Sequence, residues 1–394
     1  MHPDLRMTQT LQALKAFRHG SLASFLPGHF KSHPNMGSRD RREVGAFVFD
    51  AYRVKRLFPE RNKEEQVLLG RYLCQPQEAD FFVQFWSEKL FGTAWEQGET
   101  DRWALLEKLG LKAGWEQYFP ASEAVSAAIR KEEFLQSHLL QRKLWLRMRR
   151  GKEQSVKNEL EKAGIAFETT EISHQAIAVK PGTKLEPLQA WQQGKMEVQD
   201  ISSQLVGQLF EPKASERWLD ACAGAGGKSL LLQDMEPAVS LFVTDVRDNI
   251  LKNLHERFKK AGLRNYSQAV VDHTVLGALS MQKSFPKQFD AIIADVPCSG
   301  SGTWANTPEV LDQFDPKTIA EFADKQYRIA KQLAYALKSG GKLIYLTCSA
   351  YTEENEGVVE KLSVLPELKF EKQQYFQHST EGGDVLFGAV FRKK

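Results

Sequence analysis

From about residue 200 onward, short apolar runs alternate with longer segments of helical periodicity, and that alternation leaves few architectures open. Runs at 217–221, 241–244, 269–271, 291–295 and 342–347 have the length and composition of strands, whereas 253–261 and 319–337 space their apolar residues as helices do. Such alternation predicts a doubly wound sheet, because consecutive parallel strands need a crossover, usually a helix, that covers one face. Ser339-Gly340-Gly341 reads as a C-terminal cap for the second helix, and the extended runs 369–376 and 385–391 as the last strands of the sheet.

A chain of 394 residues exceeds what one hydrophobic core usually organises, so the expectation is a multidomain protein with the α/β domain at 196–394. Residues 1–135 read as all-helical. Val44, Phe47, Val48 and Ala51 recur at i, i+3, i+4, i+7 behind the polar start Gly37-Ser38-Arg39-Asp40, and 65–74 and 81–91 are apolar and poor in glycine and proline. Residues 138–195 read as a small α/β domain, with a strand at Leu144-Trp145-Leu146, a helix at 153–163 closed by Gly164, and a second strand at 176–179. Arg142, Lys143, Arg147, Arg149, Arg150 and Lys152 cluster around its first strand. A solvated strand face and a phosphate-binding surface both account for such a cluster. The overall balance, 53 basic against 50 acidic residues for a formal charge of +3, does not by itself imply a polyanionic partner.

Four cysteines occur, Cys74, Cys222, Cys298 and Cys348, without the close paired spacings of a zinc site or a secreted disulfide framework. The expectation is therefore no metal and a reducing, cytoplasmic setting. No apolar run approaches the roughly 20 residues that span a bilayer, and the first residues hold no uninterrupted apolar leader segment, so no membrane partner is expected.

The candidate chemistry gathers at the ends of the predicted strands. The first runs into Cys222-Ala223-Gly224-Ala225-Gly226-Gly227-Lys228, a glycine-rich turn that lets backbone approach a nucleotide and exposes amide donors at a helix start. Asp245 ends the second strand, where a carboxylate accepts from ribose hydroxyls, and Asp272 ends the third, within reach of an adenine amine. Either aspartate alone is as readily a loop cap, but three nucleotide-facing features at three successive strand ends argue for a cofactor. The fourth strand delivers Asp295-Val296-Pro297-Cys298-Ser299-Gly300-Ser301-Gly302 and the fifth Thr347-Cys348-Ser349, so both thiols leave the sheet on its ligand-binding edge. A nicotinamide enzyme would use the same glycine turn and leave both cysteine motifs without a role.

These motifs resemble, in order, those of the bacterial RsmB (Sun/Fmu) family of RNA cytosine-5 methyltransferases and its eukaryotic nucleolar relatives. The resemblance runs over 138–394 and more faintly over the helical start. Val198-Gln199-Asp200-Ile201-Ser202-Ser203-Gln204 is similar to the segment before the family's first core strand, and 220–228 to its methionine-and-ribose loop. Residues 295–302 resemble the motif with the release cysteine, and Thr347-Cys348-Ser349 with Glu353-Glu354-Asn355-Glu356 the motif with the nucleophile.

What the resemblance implies is specific. The C-terminal domain would be a Rossmann-like class I methyltransferase using S-adenosylmethionine, held by Cys222, Ala223, Gly224, Ala225, Gly226, Gly227, Lys228, Asp245, Asp272 and Asp295. Cys348 would attack carbon 6 of a cytosine and Cys298 would assist release, whereas DNA cytosine methyltransferases attack with the Pro-Cys cysteine. Asp295 would serve as a catalytic group near ring nitrogen 3 of the base, or face the cofactor. The domain at 138–195 would recognise RNA through Arg147, Arg149 and Arg150, Gly37-Ser38-Arg39-Asp40-Arg41-Arg42 would belong to a NusB-like helical region, and the enzyme would be a monomer acting on ribosomal RNA. Transfer RNA as substrate, and a non-catalytic RNA-binding assembly factor, are the alternatives. Three departures stand out: Gly224-Ala225 where the family has Ala-Pro, Ala305-Asn306 where it has a basic pair, and Ile250 where it has an arginine.

Overall fold

The computed structural model describes residues 1–33, 36–75, 80–96 and 102–394. The chain forms two compact units, but each borrows a piece from the other's stretch of sequence. One unit comprises Met1–Glu123, Arg130–Gln141 and Trp304–Pro316, and the other Ala124–Ile129, Arg142–Thr303 and Lys317–Lys394.

The first unit is helical among its described residues. The predicted periodicity becomes the helix Ser38–Lys55, with Val44, Phe47, Val48 and Ala51 all buried. The helix Lys63–Cys74 packs against it at Gly70, where a Cβ would stand 2.4 Å from the Asp50 carbonyl oxygen. Asp50 is itself buried between Arg53 and Arg71. Trp304–Pro316 completes this unit: Arg53 donates to the Ala305 carbonyl at 3.3 Å, Glu309 accepts from the Leu22 amide at 3.0 Å, and Lys55 pairs with Asp312 at 2.6 Å. Ala305 is fully buried there, so a charge at that position would have to be desolvated.

The second unit contains two sheets. The smaller has strands β1 (Leu144–Met148), β2 (Phe167–Thr169), β3 (Ala176–Val179) and β4 (Met196–Val198), ordered β2-β3-β1-β4. It extends past the expected boundary at residue 195, because β4 pairs with β1 through Leu146, Arg147 and Met148. The larger has β5 (Arg217–Asp220), β6 (Ser240–Asp245), β7 (Tyr266–Val270), β8 (Phe289–Asp295), β9 (Leu337–Thr347), β10 (Leu368–Gln377) and β11 (Val385–Lys393), ordered β10-β11-β9-β8-β5-β6-β7. Strands β5 to β9 run parallel to their neighbours, whereas β11 pairs antiparallel with both β9 and β10. The strand order reverses between β8 and β5, the point at which doubly wound sheets open a crevice beyond their carboxyl ends.

The helix expected to run to residue 337 with a Ser-Gly-Gly cap ends earlier, at Tyr335. Ala336 accepts from the Phe289 amide at 2.8 Å, and β9 begins at once, so Ser339-Gly340-Gly341 lies inside the strand. Gly340 has φ of 75° and the β8–β9 register slips between Phe289 and Ala291, a local irregularity that glycine tolerates and a side chain would strain.

The three arginines of the basic cluster expected to meet RNA are placed differently from one another, Arg147 buried, Arg149 partly buried and Arg150 exposed. Arg147 is 1% exposed: its guanidinium pairs with Asp234 of the helix Gly227–Met235, and its Nε donates to Gln199 at 2.7 Å. Arg149 donates from Nε to the same carboxylate at 2.7 Å and from a terminal nitrogen to the Ala261 carbonyl at 2.7 Å. Both side chains are engaged in joining the small sheet to the large-sheet layer, and Arg147 is not available to a phosphate. Asp234→Ala would leave the buried guanidinium uncompensated and should cost about 3 kcal/mol or more of stability. The companion change Arg147→Met in the Asp234→Leu background should recover most of it. Urea unfolding of the variants is the check, and an Asp234→Ala midpoint equal to the parent's would contradict the latch.

Candidate active site

All five parallel strands deliver a candidate side chain at or just beyond their carboxyl ends. Asp220 closes β5, Asp245 closes β6, Asp272 follows β7 by two residues, Asp295 closes β8 and Cys348 follows β9 directly. All but Asp220 border a cavity of about 500 Å³ lined by Cys222, Gly224, Asp245, Arg247, Asp272, His273, Asp295, Pro297, Cys298, Lys325 and Cys348 among others. That volume falls in the range of small-molecule sites.

The glycine turn is shaped by two left-handed residues. Gly224 has φ of 52°, and Gly226 has φ of 81° at the start of the helix Gly227–Met235. A Cβ on Gly226 would stand 2.4 Å from the Phe258 ring, so conformation and packing both require glycine there. Gly224 donates its amide to Asp245 at 3.0 Å. Asp245 also accepts from the Arg247 amide and guanidinium. Burial raises its pKa, but these donors outweigh it and hold the carboxyl below the ordinary range. Arg247 supplies a cation beside the second-strand aspartate even though Ile250 does not. Nothing in the local sequence pattern shows that this side chain folds back onto Asp245, so Arg247 is absent from the residues expected at the site.

Lys228 crosses from the glycine turn to β8 and pairs with Asp295 at 2.6 Å. Burial opposes its charge, yet the adjoining carboxylate more than compensates and keeps the ammonium above its ordinary pKa. Asp272 is exposed and accepts from the Thr274 amide and hydroxyl at 2.9 and 2.6 Å, all through one oxygen, Oδ1. The loop-cap reading of Asp272 therefore describes half of its carboxylate, and the residue still lines the cavity.

The two thiols meet. Cys298 Sγ lies 3.3 Å from Cys348 Sγ, both half-buried on the cavity wall. Hydrogen bonding with Cys348, then burial, pushes the Cys298 thiol well above its ordinary pKa. Burial likewise pushes up Cys222 and the remote Cys74, which leaves neither suited to attack.

A buried polar network holds the two cysteine loops in register. The Gly302 amide donates to the Cys348 carbonyl at 2.9 Å, an approach open only to glycine, since a Cβ would stand 2.1 Å from the Val385 carbonyl oxygen. Glu354 accepts from the Ser349 hydroxyl at 2.6 Å, the Ser299 amide at 2.9 Å and the Gln326 amide group at 2.8 Å. Asn355 accepts from the Thr347 hydroxyl and donates to the Ser349 carbonyl at 2.8 Å, thereby gripping both neighbours of Cys348. Gln326 and Lys325 lie on the helix Thr318–Tyr335, far from either motif in sequence, and no local pattern marks which of its residues reach the site.

The remaining predicted residues separate. Ala223, Ala225 and Gly227 belong to the glycine turn, and Arg150 is exposed on the small sheet's side of the unit, with a 3.4 Å contact to the Met235 carbonyl. Among the described residues no cluster of three or more metal-ligating side chains occurs, and no helix is long and apolar enough to cross a membrane.

Residues 207–383 match the family described as 16S rRNA methyltransferase RsmB/F. That segment is similar to the methyltransferase domain of the RsmB/F family. The Bacillus subtilis protein named probable ribosomal RNA small subunit methyltransferase B is 30% identical over 251 residues, covering 61% of this chain and 55% of that protein. The Proteus mirabilis ribosomal RNA small subunit methyltransferase B is 30% identical over 236 residues, covering 60% and 55%. The chain thus spans about half the length of these curated relatives. The crystal structure of PH0851 superimposes with a TM-score of 0.69 at 20% identity, over 92% of this chain and 93% of that one. NSun6 from Pyrococcus horikoshii, solved with SFG, gives 0.59 at 17% identity over 67% and 94%. At these identities the likeness establishes the shared fold.

Asp220, 1% exposed, supports the glycine turn from beneath. It accepts from the Ser229 hydroxyl at 2.7 Å through Oδ2, while Oδ1 has no hydrogen-bond partner. Burial raises its pKa to about 7 from the ordinary 3.8. The folded protein therefore binds a proton that the unfolded chain releases, so Asp220 makes stability fall as pH rises from about 4 to about 7 and level off above. Asp220→Asn should remove this component of the slope. Urea midpoints at pH 5 and pH 8 measure it, and identical slopes in parent and variant would refute the assignment.

Proposed function

We propose that this chain is an S-adenosylmethionine-dependent RNA (cytosine-5) methyltransferase that works on ribosomal RNA through a covalent cysteine adduct. The observation that carries the reading is the pair of thiols 3.3 Å apart at the ends of adjacent parallel strands, on the wall of a cavity lined by three strand-end aspartates. The names of the curated relatives supply the choice of ribosomal RNA.

The cavity residues fit the cofactor. Gly224 and Gly226 keep backbone free of side chains at the turn, Asp245 is an ionised acceptor suited to ribose hydroxyls, and Asp272 retains one carboxylate oxygen for the adenine amine. Arg247, more than half exposed, is free to yield the Asp245 oxygens it now holds. Bound there, S-adenosylmethionine supplies an electrophilic methyl group.

Carbon 5 of cytosine is too weak a nucleophile to take a methyl group unaided. Addition of the Cys348 thiolate to carbon 6 forms a carbon–sulfur bond and makes carbon 5 enamine-like. Cys298, held protonated beside it, is the thiol suited to proton handling at release. Once carbon 5 has bonded the methyl group, with the electron pair of the broken sulfonium–methyl bond left on the cofactor sulfur, its proton passes to solvent. The carbon–sulfur bond to Cys348 then breaks, the departing sulfur accepting a hydrogen bond from the Cys298 thiol 3.3 Å away, which restores the aromatic ring. Lys228 occupies Asp295 Oδ2 and leaves Oδ1 to accept from the base, where charge develops near ring nitrogen 3. A base in folded RNA has to be unstacked to reach this site.

Of the three arginines of the small α/β domain, Arg150 is the one left to meet RNA phosphate, while Arg147 and Arg149 act by holding the domain in place. The NusB-like character of residues 1–135 belongs to the same proposal.

With RNA and cofactor, Cys298→Ala should accumulate a covalent protein–RNA adduct visible as a denaturation-resistant band, and Cys348→Ala should give none. An adduct in the Cys348 variant instead would reverse the roles. Bisulfite sequencing of total RNA from cells with and without the gene should show one protected ribosomal cytosine lost, and an unchanged pattern would count against the activity.

A further inference from the structure

The residues just described around Cys348 are fastened to a short stretch far upstream. Ala124–Ile129 lies within the first third of the chain yet belongs to the α/β unit, outside the segment 207–383 that matches the RsmB/F family. Val125 forms an antiparallel bridge with Tyr351. The Ser126 amide donates to the Ala350 carbonyl at 2.9 Å, and the Thr352 amide donates to the Ala124 carbonyl at 2.9 Å. Gln377 also donates to the Ala128 carbonyl at 2.7 Å. The stretch therefore acts as a brief added strand along the loop that begins at Cys348.

Ala350 is gripped from both sides. Its amide donates to the Ser301 hydroxyl of the other cysteine motif at 2.7 Å, and its carbonyl accepts from Ser126. The Ser126 side chain is buried and continues the connection: its hydroxyl donates to Glu356 at 2.5 Å. Glu356 accepts in turn from the Tyr375 hydroxyl at 3.0 Å. Tyr375 accepts at 2.9 Å from the side-chain amide of Asn355, the same group that donates to the Ser349 carbonyl. Asn355 also takes the Thr347 hydroxyl. A continuous hydrogen-bonded path thus runs from Ser126 through Glu356, Tyr375 and Asn355 to the residues on either side of Cys348.

We propose that Ser126 is a positioning residue for the Cys348 thiol, acting through its amide on Ala350 and through its hydroxyl on the Glu356–Tyr375–Asn355 path. It touches no reacting atom. Its effect is to fix the height and direction of the loop on which the thiol rides, a placement to which attack on a base is sensitive at the ångström scale. The inference rests on the proposed function for its catalytic consequence, but the geometry of the thiol is testable without RNA.

The test uses the full-length chain with Ser126→Ala, Glu356→Gln, the double variant and Ser126→Thr. Ser126→Ala should lower the rate of RNA methylation about 10-fold or more with KM for RNA unchanged, and Ser126→Thr, which keeps the hydroxyl, should restore most of it. The pH profile of Cys348 alkylation by iodoacetamide, read site by site by mass spectrometry, should shift in Ser126→Ala and return in Ser126→Thr. The double variant should be no worse than the poorer single one, because the two groups act on one path. Thermal unfolding and binding of S-adenosylhomocysteine identify any variant that fails to fold, and Ser126→Thr then decides. Parental alkylation and parental methylation rate in folded Ser126→Ala would overturn the proposal. If the parent protein methylates no RNA but the alkylation profile shifts as expected, the proposed reaction fails and the positioning role stands.

Discussion

The mutual placement of the two cysteine loops depends on a buried carboxylate that, among the described residues, pairs with no cation. Glu354 sits between the two cysteine loops and satisfies its charge with a serine hydroxyl, a backbone amide and a glutamine side chain drawn from three separate places in the chain. A buried carboxylate is costly unless such donors converge on it. Once they do, the loops after β8 and β9 have one mutual arrangement, and Gly302 permits it by bringing backbone to backbone where no side chain fits. The 3.3 Å approach of the two thiols is a consequence of that arrangement.

The same logic of polar fasteners recurs at larger scale. Arg147 and Arg149 converge on Asp234 and join the small sheet to the helix behind the glycine turn. Upstream residues 124–129 brace the Cys348 loop, while residues 304–316, which follow the Cys298 motif, are packed into the helical unit through Trp304, Ala305 and Glu309. The two cysteine motifs are thus flanked by exchanged segments. A catalytic unit cut out at the limits of the RsmB/F match would lack Ser126 and its contacts with Ala350 and Glu356.

Much of this arrangement is legible in the amino-acid sequence. The strand ends at Asp245, Asp295 and Thr347 fall where the alternation of apolar runs implies, and Cys222 and Gly224 of the glycine turn line one cavity with Asp245, Asp272, Asp295, Cys298 and Cys348. Sequence and structure part where two distant segments compete for one side chain. Arg147 of β1 and Arg149 just beyond it look like a basic surface because Asp234, their partner, lies more than eighty residues downstream. Arg247 carries no sequence signal because its bond to Asp245 is a rotamer choice that no spacing records. The early end of the helix at Tyr335 reflects pairing of the following residues with β8, a non-local demand that overrides a credible cap.

The sequence by itself determined the order of elements, the sheet edge to which the chemistry belongs and the residue types that gather there. Those properties follow from local periodicity and from the rule that parallel strands deliver their loops to one edge. Only the tertiary structure decided which charges are buried and which are free, which backbone groups pair across segments, and how close the two thiols lie. These depend on desolvation and on hydrogen bonds between residues separated by tens to hundreds of positions, such as Ser126 and Glu356, and no local pattern encodes those meetings.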